Sequence, residues 1–344
     1  MTRVVLLNDY PMAVAEQRVD AGNYPAQHLW GLAELRDEFD WIIPSVTYAS
    51  VARRYPRLER LFWKVIPLAG DVFQELYTVG ISLRDKDLAI YAADQQSAAL
   101  IGILKRLGIL RRRFVMVAHN GPKHRWARLW MSGADHIITL DSQTAQTIRA
   151  SMKRDPSSVH VLPWGPSLDS AVYAALEQPS ALTLDFVCAG RSNRYYDGVR
   201  EAARTARLTG KIFTGNTIEY FHDGTVEVTE DACEYPTVLA ALNVSRCSLI
   251  PLDDPARLSG LTEATDALAL GVPILVSNSP KFPYLGSQHP CHIVDERDPQ
   301  SIVDAIGQLP RIQELEAEGA SEFNMSLYAT QLRYLLNTVK AADN

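Results

Sequence analysis

Cysteine is scarce in this sequence: four in 344 residues, Cys188, Cys233, Cys247 and Cys291, with no C-x-x-C pair. That excludes a disulfide framework and a Cys-rich zinc site, and it reads as free thiols in a reducing compartment. Long apolar runs are missing too. No segment approaches the ~20 apolar residues that span a bilayer, and the richest, Ala267 to Val276, is broken by Gly271 and Pro273. Met1-Thr2-Arg3, a short apolar run and Asn8-Asp9 lack the parts of a signal peptide. A cytoplasmic protein is expected. The nucleotide fingerprints G-x-G-x-x-G and G-x-x-x-x-G-K-[ST] are absent, and so is the hydrolase elbow G-x-S-x-G. His289 and His292 have no third partner at metal spacing, and Asp85-Lys86-Asp87 sits in a charged turn. Neither a metal nor a cofactor is expected.

What remains is an ordinary globular composition, 47% hydrophobic and 22% charged, at a length that suits two domains. The net charge of −6 hides an asymmetry. Residues 1–165 hold 21 Lys and Arg against 16 Asp and Glu, and residues 166–344 hold 13 against 24. The basic residues cluster beside aromatics. Arg53, Arg54, Arg57, Arg60 and Lys64 flank Phe62 and Trp63; Lys105, Arg106 and Arg111 to Arg113 form a second group; Lys123, Arg125 and Arg128 surround Trp126 and Trp130. Such a pattern is either a solvated helix face or an anionic-membrane contact at the inner face of the membrane. No nucleic-acid recognition motif accompanies it.

Strand-length apolar runs alternate with helix-period segments. Val4 to Asn8, Trp41 to Val46, Leu88 to Ala92, Phe114 to Ala118, His136 to Leu140 and Val159 to Pro163 read as strands with helices between them. The pattern restarts with Leu184 to Ala189, Lys211 to Thr214, Val226 to Thr229, Cys247 to Pro251 and Pro273 to Ser277. This alternation predicts an α/β protein with parallel sheets covered by helices on both faces. Two Rossmann-like, doubly wound domains facing across a cleft are expected, with ligand at the carboxyl ends of the strands. The boundaries read as 1–165, 166–322, and a C-terminal helix over 323–344 that returns toward the first domain.

The chemistry concentrates where a buried strand ends at Pro251, a polar loop follows and Ser259-Gly260 lead into a helix. Gly260 lets backbone approach a ligand, and the N–H groups of Leu261, Thr262 and Glu263 at a helix N-terminus favour a diphosphate. Asp266 lies about 5.4 Å further along the same face as Thr262, a separation that suits a ribose diol. The plain alternative is that Glu263 and Asp266 only complement the helix dipole, worth ~0.3–1 kcal/mol each.

Asp266-Ala-Leu-Ala-Leu-Gly-Val-Pro resembles the E-A-M-A-x-G-x-P signature of nucleotide-sugar glycosyltransferases with the GT-B fold, the family-4 group especially. Gly190-Arg191-Ser192-Asn193-Arg194-Tyr195-Tyr196 is similar to the G-x-S-N-R-D-Y loop of a bacterial subgroup that makes surface polysaccharides and glycolipids. Val117-Ala118-His119-Asn120 resembles the strand end whose histidine faces the transferred sugar, and Ala134 to Ser142 resembles the A-D-x-I-I-T-x-S stretch. The resemblance implies donor binding by Gly190, Arg191, Asn193, Arg194, Gly260, Leu261, Thr262, Glu263 and Asp266. His119 and Arg191 would be catalytic, and Gly22, Asn23, Tyr24 and His28 would contact the acceptor. Three departures accompany it: Leu258 stands where the family often has a second Glu, Asp197 replaces a Lys, and the N-terminal Gly-Gly loop is reduced to Ala21-Gly22-Asn23.

The expected function is therefore a hexosyltransferase. It would move a hexose from a nucleoside diphosphate sugar to a hydroxyl of a glycan or lipid-linked acceptor, retaining and metal-independent. Two alternatives stand beside it: a nucleoside diphosphate sugar epimerase, and a non-catalytic sugar-nucleotide-binding partner in glycan synthesis.

Overall fold

β1 (Thr2–Leu7) carries four consecutive apolar residues, Val4 to Leu7, and all four are fully buried. A strand covered on both faces is the mark of a parallel sheet with helices on either side. The computed structural model of the chain describes residues 1–45, 71–176, 179, 181–190, 192–214, 225–229, 233–309 and 322–337. These fall into two compact units: 1–17, 28–162 and 326 onward in the first, 18–27 and 163–325 in the second.

In the first unit β1 is followed by α1 (Met12–Asp20), β2 (Phe39–Ile42), α2 (Val72–Arg84), β3 (Ala89–Ala92), α3 (Ala99–Arg106), β4 (Arg113–Val117), α4 (Arg125–Met131), β5 (His136–Thr139), α5 (Ser142–Met152) and β6 (Val159–Val161). The strands are all parallel in the order β2-β1-β3-β4-β5-β6. Val5, Leu7, Ile90 and Met116 pack with Ile101, Trp130, Met131 and Ile148 in one core. Helix starts follow local chemistry: Asp71 caps α2 and Asp141 caps α5 through their carboxylates. Glu75 of α2 does the same service at a distance, its Oε2 accepting the Ile101 N–H of α3 at 3.0 Å. Burial pushes that carboxyl up to about 8, against the pull of its two backbone donors. A last helix, Met325–Asn337, packs in this unit from Ser326 onward, with the Tyr328 and Tyr91 hydroxyls 2.7 Å apart.

α3 and α4 meet at bare backbone. A Cβ on Gly102 would lie 2.1 Å from the Trp130 carbonyl oxygen. Gly102→Ala is therefore expected to cost about 3 kcal/mol or more. An unchanged thermal midpoint for that variant would show that the two helices are not in contact there.

The second unit continues with α6 (Ala171–Ala174), β7 (Phe186–Ala189), α7 (Tyr196–Ala206), β8 (Gly210–Phe213), β9 (Val226–Thr229), α8 (Tyr235–Asn243), β10 (Ser248–Ile250), α9 (Leu261–Leu270), β11 (Ile274–Ser277), β12 (Cys291–Val294) and α10 (Pro299–Gln308). Its sheet is parallel too, in the order β12-β11-β10-β7-β8-β9. The strand period of two divides the core. Phe186, Cys188, Leu249 and Leu275 pack with Val199, Ala202 and Ile302 on one face, while Val187, Ile250, Ile274 and Val276 pack with Ala264, Ala267 and Leu268 on the other.

The boundary differs from the expected one at the N-terminus. Residues 18–27, placed by sequence in the first domain, belong to the second unit. Within that segment Gln27 is buried and donates to Thr265 Oγ1 at 2.9 Å and Asp266 Oδ1 at 3.2 Å of α9. Among the described residues no helix is long and apolar enough to cross a membrane.

Candidate functional site

Each sheet has one place where successive connections leave in opposite directions, and there the loops part to leave room for a ligand. In the first unit it lies between β1 and β3, in the second between β7 and β10.

At the first, the residues just past three neighbouring strands bring polar side chains together: Asp9 after β1, Asp94 after β3 and His119 after β4. His119 Nε2 lies 3.8 Å from Asp94 Oδ2, an ion pair when the ring is protonated. Asp94 is held in place through its other oxygen, which accepts the Gln96 N–H at 2.7 Å. The Trp30 indole meets the His119 ring edge-on at 5.4 Å between centroids. Burial, and then the neighbouring Asp94, raise the Asp9 carboxyl above its ordinary range, while His119 opposes the shift. His28 is densely surrounded, and burial first and His119 second push its imidazole down to about 4. It is neutral at physiological pH, and the Tyr10 hydroxyl donates to its carbonyl. An imidazole partly open to solvent with a carboxylate close by has the chemistry of a general acid or base. His119 was singled out in the sequence; Asp9 and Asp94, which the structure places beside it, were not. The signal for Asp94 was an acid directly after the apolar run Ala89 to Ala93.

At the second, the loop after β7 and the loop after β10 are stitched together. Asn193 Oδ1 accepts the Asp254 N–H at 2.8 Å and its Nδ2 donates to the Asp254 carbonyl at 3.0 Å. The Tyr195 N–H reaches the Pro251 carbonyl at 2.9 Å. Arg194 ties both loops to α9. Its guanidinium pairs with Glu263 and donates to Ser259 Oγ at 3.1 Å. Both side chains of that pair are nearly buried, and Gly190 lies directly against them. The partner of Arg194 is thus neither Asp197 nor Glu201, which pair with Arg200 and Arg204. Arg191, expected to be catalytic, lies outside the described residues.

Gly260 opens α9 at φ +81, and a Cβ there would come within 2.5 Å of Ile250 Cγ2. Glycine has no side chain with which to cap the helix, and Leu261, Thr262 and Glu263 form the first turn at its positive end. Asp266, one turn further on, is 3% exposed. Its Oδ1 accepts from Tyr235 at 2.6 Å, Tyr173 at 2.9 Å and Gln27 at 3.2 Å. Desolvation nonetheless prevails over the three donors and lifts the carboxyl to about 7. The sequence pattern offered Asp266 as a carboxylate for a ribose diol or for the helix dipole; the fold surrounds it with residues distant in sequence.

The expected acceptor residues are divided between the two units. Gly22, Asn23 and Tyr24 belong to the second unit and His28 to the first. The Gly22 N–H closes on the Val19 carbonyl, and Arg18 lies 4.8 Å over the Tyr24 ring. Among the described residues no group of three or more His, Cys, Asp or Glu side chains could hold a metal ion.

No family model matches the chain, and no curated protein matches it in sequence. Solved structures do match along the whole length. A trehalose 6-phosphate synthase from Burkholderia multivorans is 11% identical, with 98% of each chain covered and a TM-score of 0.69. The lipopolysaccharide outer core galactosyltransferase WaaB is 10% identical, with 97% of this chain and 99% of that one covered and a TM-score of 0.58. The UDP-GlcNAc 2-epimerase of Methanocaldococcus jannaschii, solved with UDP-GlcNAc and UDP, is 12% identical over 98% of this chain and all of that one, with a TM-score of 0.54. The fold of this chain is the GT-B fold.

Proposed function

We propose that the chain is a glycosyltransferase that moves a hexose from a nucleoside diphosphate sugar to a hydroxyl acceptor. The observation that carries this reading is the N-terminus of α9, opened by Gly260 at φ +81 and set beside two stitched loops at the switch point of the second sheet. A diphosphate gains there from backbone N–H donors and the helix dipole, which offset the charge that grows on the leaving group. Arg191 would add a cation. Arg194, neutralised by Glu263, acts as a positioning residue for the loops. Asp266 reaches a ribose through Oδ2, since Oδ1 is already taken. His119, with Asp94 beside it, serves the sugar and the acceptor hydroxyl. Retention, metal independence and a role in polysaccharide biosynthesis are parts of the same proposal, and so is acceptor contact by Gly22, Asn23, Tyr24 and His28. Fold neighbours that are UDP-forming synthases, one of them solved with glucose-6-phosphate, support a nucleotide-sugar donor and a hydroxyl acceptor.

An epimerase is the second reading. It needs acid and base residues around the sugar, and the group formed by Asp9, Asp94 and His119 supplies them. It would change the sugar with no acceptor present; a transferase would release free nucleoside diphosphate only with one, apart from slow hydrolysis. A non-catalytic partner would bind without turnover.

The test is thermal unfolding against a panel of nucleoside diphosphates and their sugars. A ligand at ~100 times its dissociation constant adds ~2.7 kcal/mol, an easily visible shift. Gly260→Ala, which forces a side chain into φ +81 and against Ile250, is expected to lose the shift measured against its own unliganded midpoint. If no nucleotide moves the wild type, the donor assignment fails.

A further inference from the structure

α4 turns an unusual face outward. Ala127, Trp130 and Met131 are buried, while Trp126 is 69% exposed and Leu129 is 36% exposed. Trp126 and Leu129 are three apart and share one side of the helix. Arg125 and Arg128 run beside them at the same spacing, and Lys123 precedes the helix; all three cations are exposed. From Arg111 to Ala134 the sequence has no Asp or Glu. Among the described residues none of these cations meets a carboxylate, whereas Arg3, Arg36, Arg204, Arg297 and Arg333 each do. A solvated face has no use for an indole in water, and cations left without counter-charges attract an anionic surface. An indole beside unpaired Lys and Arg on one short helix suits the headgroup layer of a bilayer, where the ring is half apolar and half polar and each cation meets lipid phosphate.

The position of the face is functional as well. In a parallel sheet the crossover helix begins at the carboxyl edge of the strands. Only residues 120–124 separate His119 from α4. We propose that the α4 face, through Trp126, Leu129, Lys123, Arg125 and Arg128, docks the first unit on an anionic lipid surface. Resting on the transferase reading, this makes the acceptor one carried by lipid, its hydroxyl presented at the strand ends where His119 lies.

The experiment is co-sedimentation of the full chain with vesicles of phosphatidylcholine alone and of phosphatidylcholine with phosphatidylglycerol. Expected is binding to the anionic vesicles that falls at least tenfold in Arg125→Glu/Arg128→Glu, several-fold in Trp126→Ala, and disappears at high salt. Both variants should unfold at the wild-type temperature, because every replaced side chain points to solvent. Equal binding to both vesicle types, or equal binding by wild type and variants, would overturn docking. So would self-association of the wild type that Trp126→Ala abolishes, since a second copy would then be the occupant. The nucleotide-induced thermal shift is scored separately: vesicle binding without it keeps the docking and removes the transferase, and the converse result removes only the docking.

Discussion

His119→Ala is expected to lower kcat by roughly 10²–10⁴-fold, the range for a lost proton-transfer or charge-orienting group, while the nucleotide-induced thermal shift stays as in the wild type. The two readouts separate because His119 belongs to the first unit and the groups proposed for the diphosphate to the second. Asp94→Asn sharpens the test. Asparagine keeps an oxygen to accept the Gln96 N–H that Asp94 holds at 2.7 Å, so the turn it caps survives. What it loses is the negative charge 3.8 Å from His119 Nε2. Asp94 acts through His119, so the double variant should cost about as much as His119→Ala alone; groups that work as one unit do not add. Additive losses would separate Asp94 from His119, and a nucleotide shift lost with His119 would mean that the histidine serves the fold or the donor site instead.

Much of the fold was legible because parallel sheets write themselves as short apolar runs. Val4 to Leu7, Phe114 to Val117 and Ile274 to Val276 are buried on both faces, as strands of a parallel sheet covered by helices on either side are. The turn at Gly260 was legible too, since a glycine between a buried strand and a helical period leaves few alternatives. What the sequence withheld were partners. Asp266 is surrounded by Tyr235, Tyr173 and Gln27, which are 31, 93 and 239 residues away. Asp94 caps a turn through the Gln96 N–H, and its second oxygen faces His119 only because β3 and β4 are neighbours. Arg194 had acids nearby at Asp197 and Glu201, yet the helix carries those outward to Arg200 and Arg204. Residues 18–27 fall in the second unit, with Pro25, Ala26 and Gln27 buried, although their composition is that of any surface turn.

Asp266→Asn is expected to stabilise the protein at pH 8 and to leave it nearly unchanged at pH 4. The native carboxyl titrates at about 7 because burial disfavours its charge, whereas an unfolded chain releases that proton near ~3.9. Between these values the folded state holds a proton that the unfolded state has lost. The stability this proton confers is complete below the unfolded value and is lost as pH rises through the folded one. At ~1.4 kcal/mol per unit, the wild type should lose on the order of 4 kcal/mol across that window from Asp266 alone. Asparagine mimics the protonated form: its oxygen can accept from Tyr235, Tyr173 and Gln27, and its amide stands where the proton-bearing oxygen would. Wild-type curves alone are not diagnostic. Glu75, raised to about 8, tilts stability in the same sense, and His28 and His160, lowered to about 4, tilt it in the opposite one. Those groups are common to both proteins, so the difference between their denaturant-unfolding free energies from pH 4 to 8 isolates Asp266. A difference that grows with pH and levels off above 7 is expected. Parallel curves would mean that the carboxylate is already ionised in the native state, held by its three donors against its burial, and would restore it as a charged group for ribose.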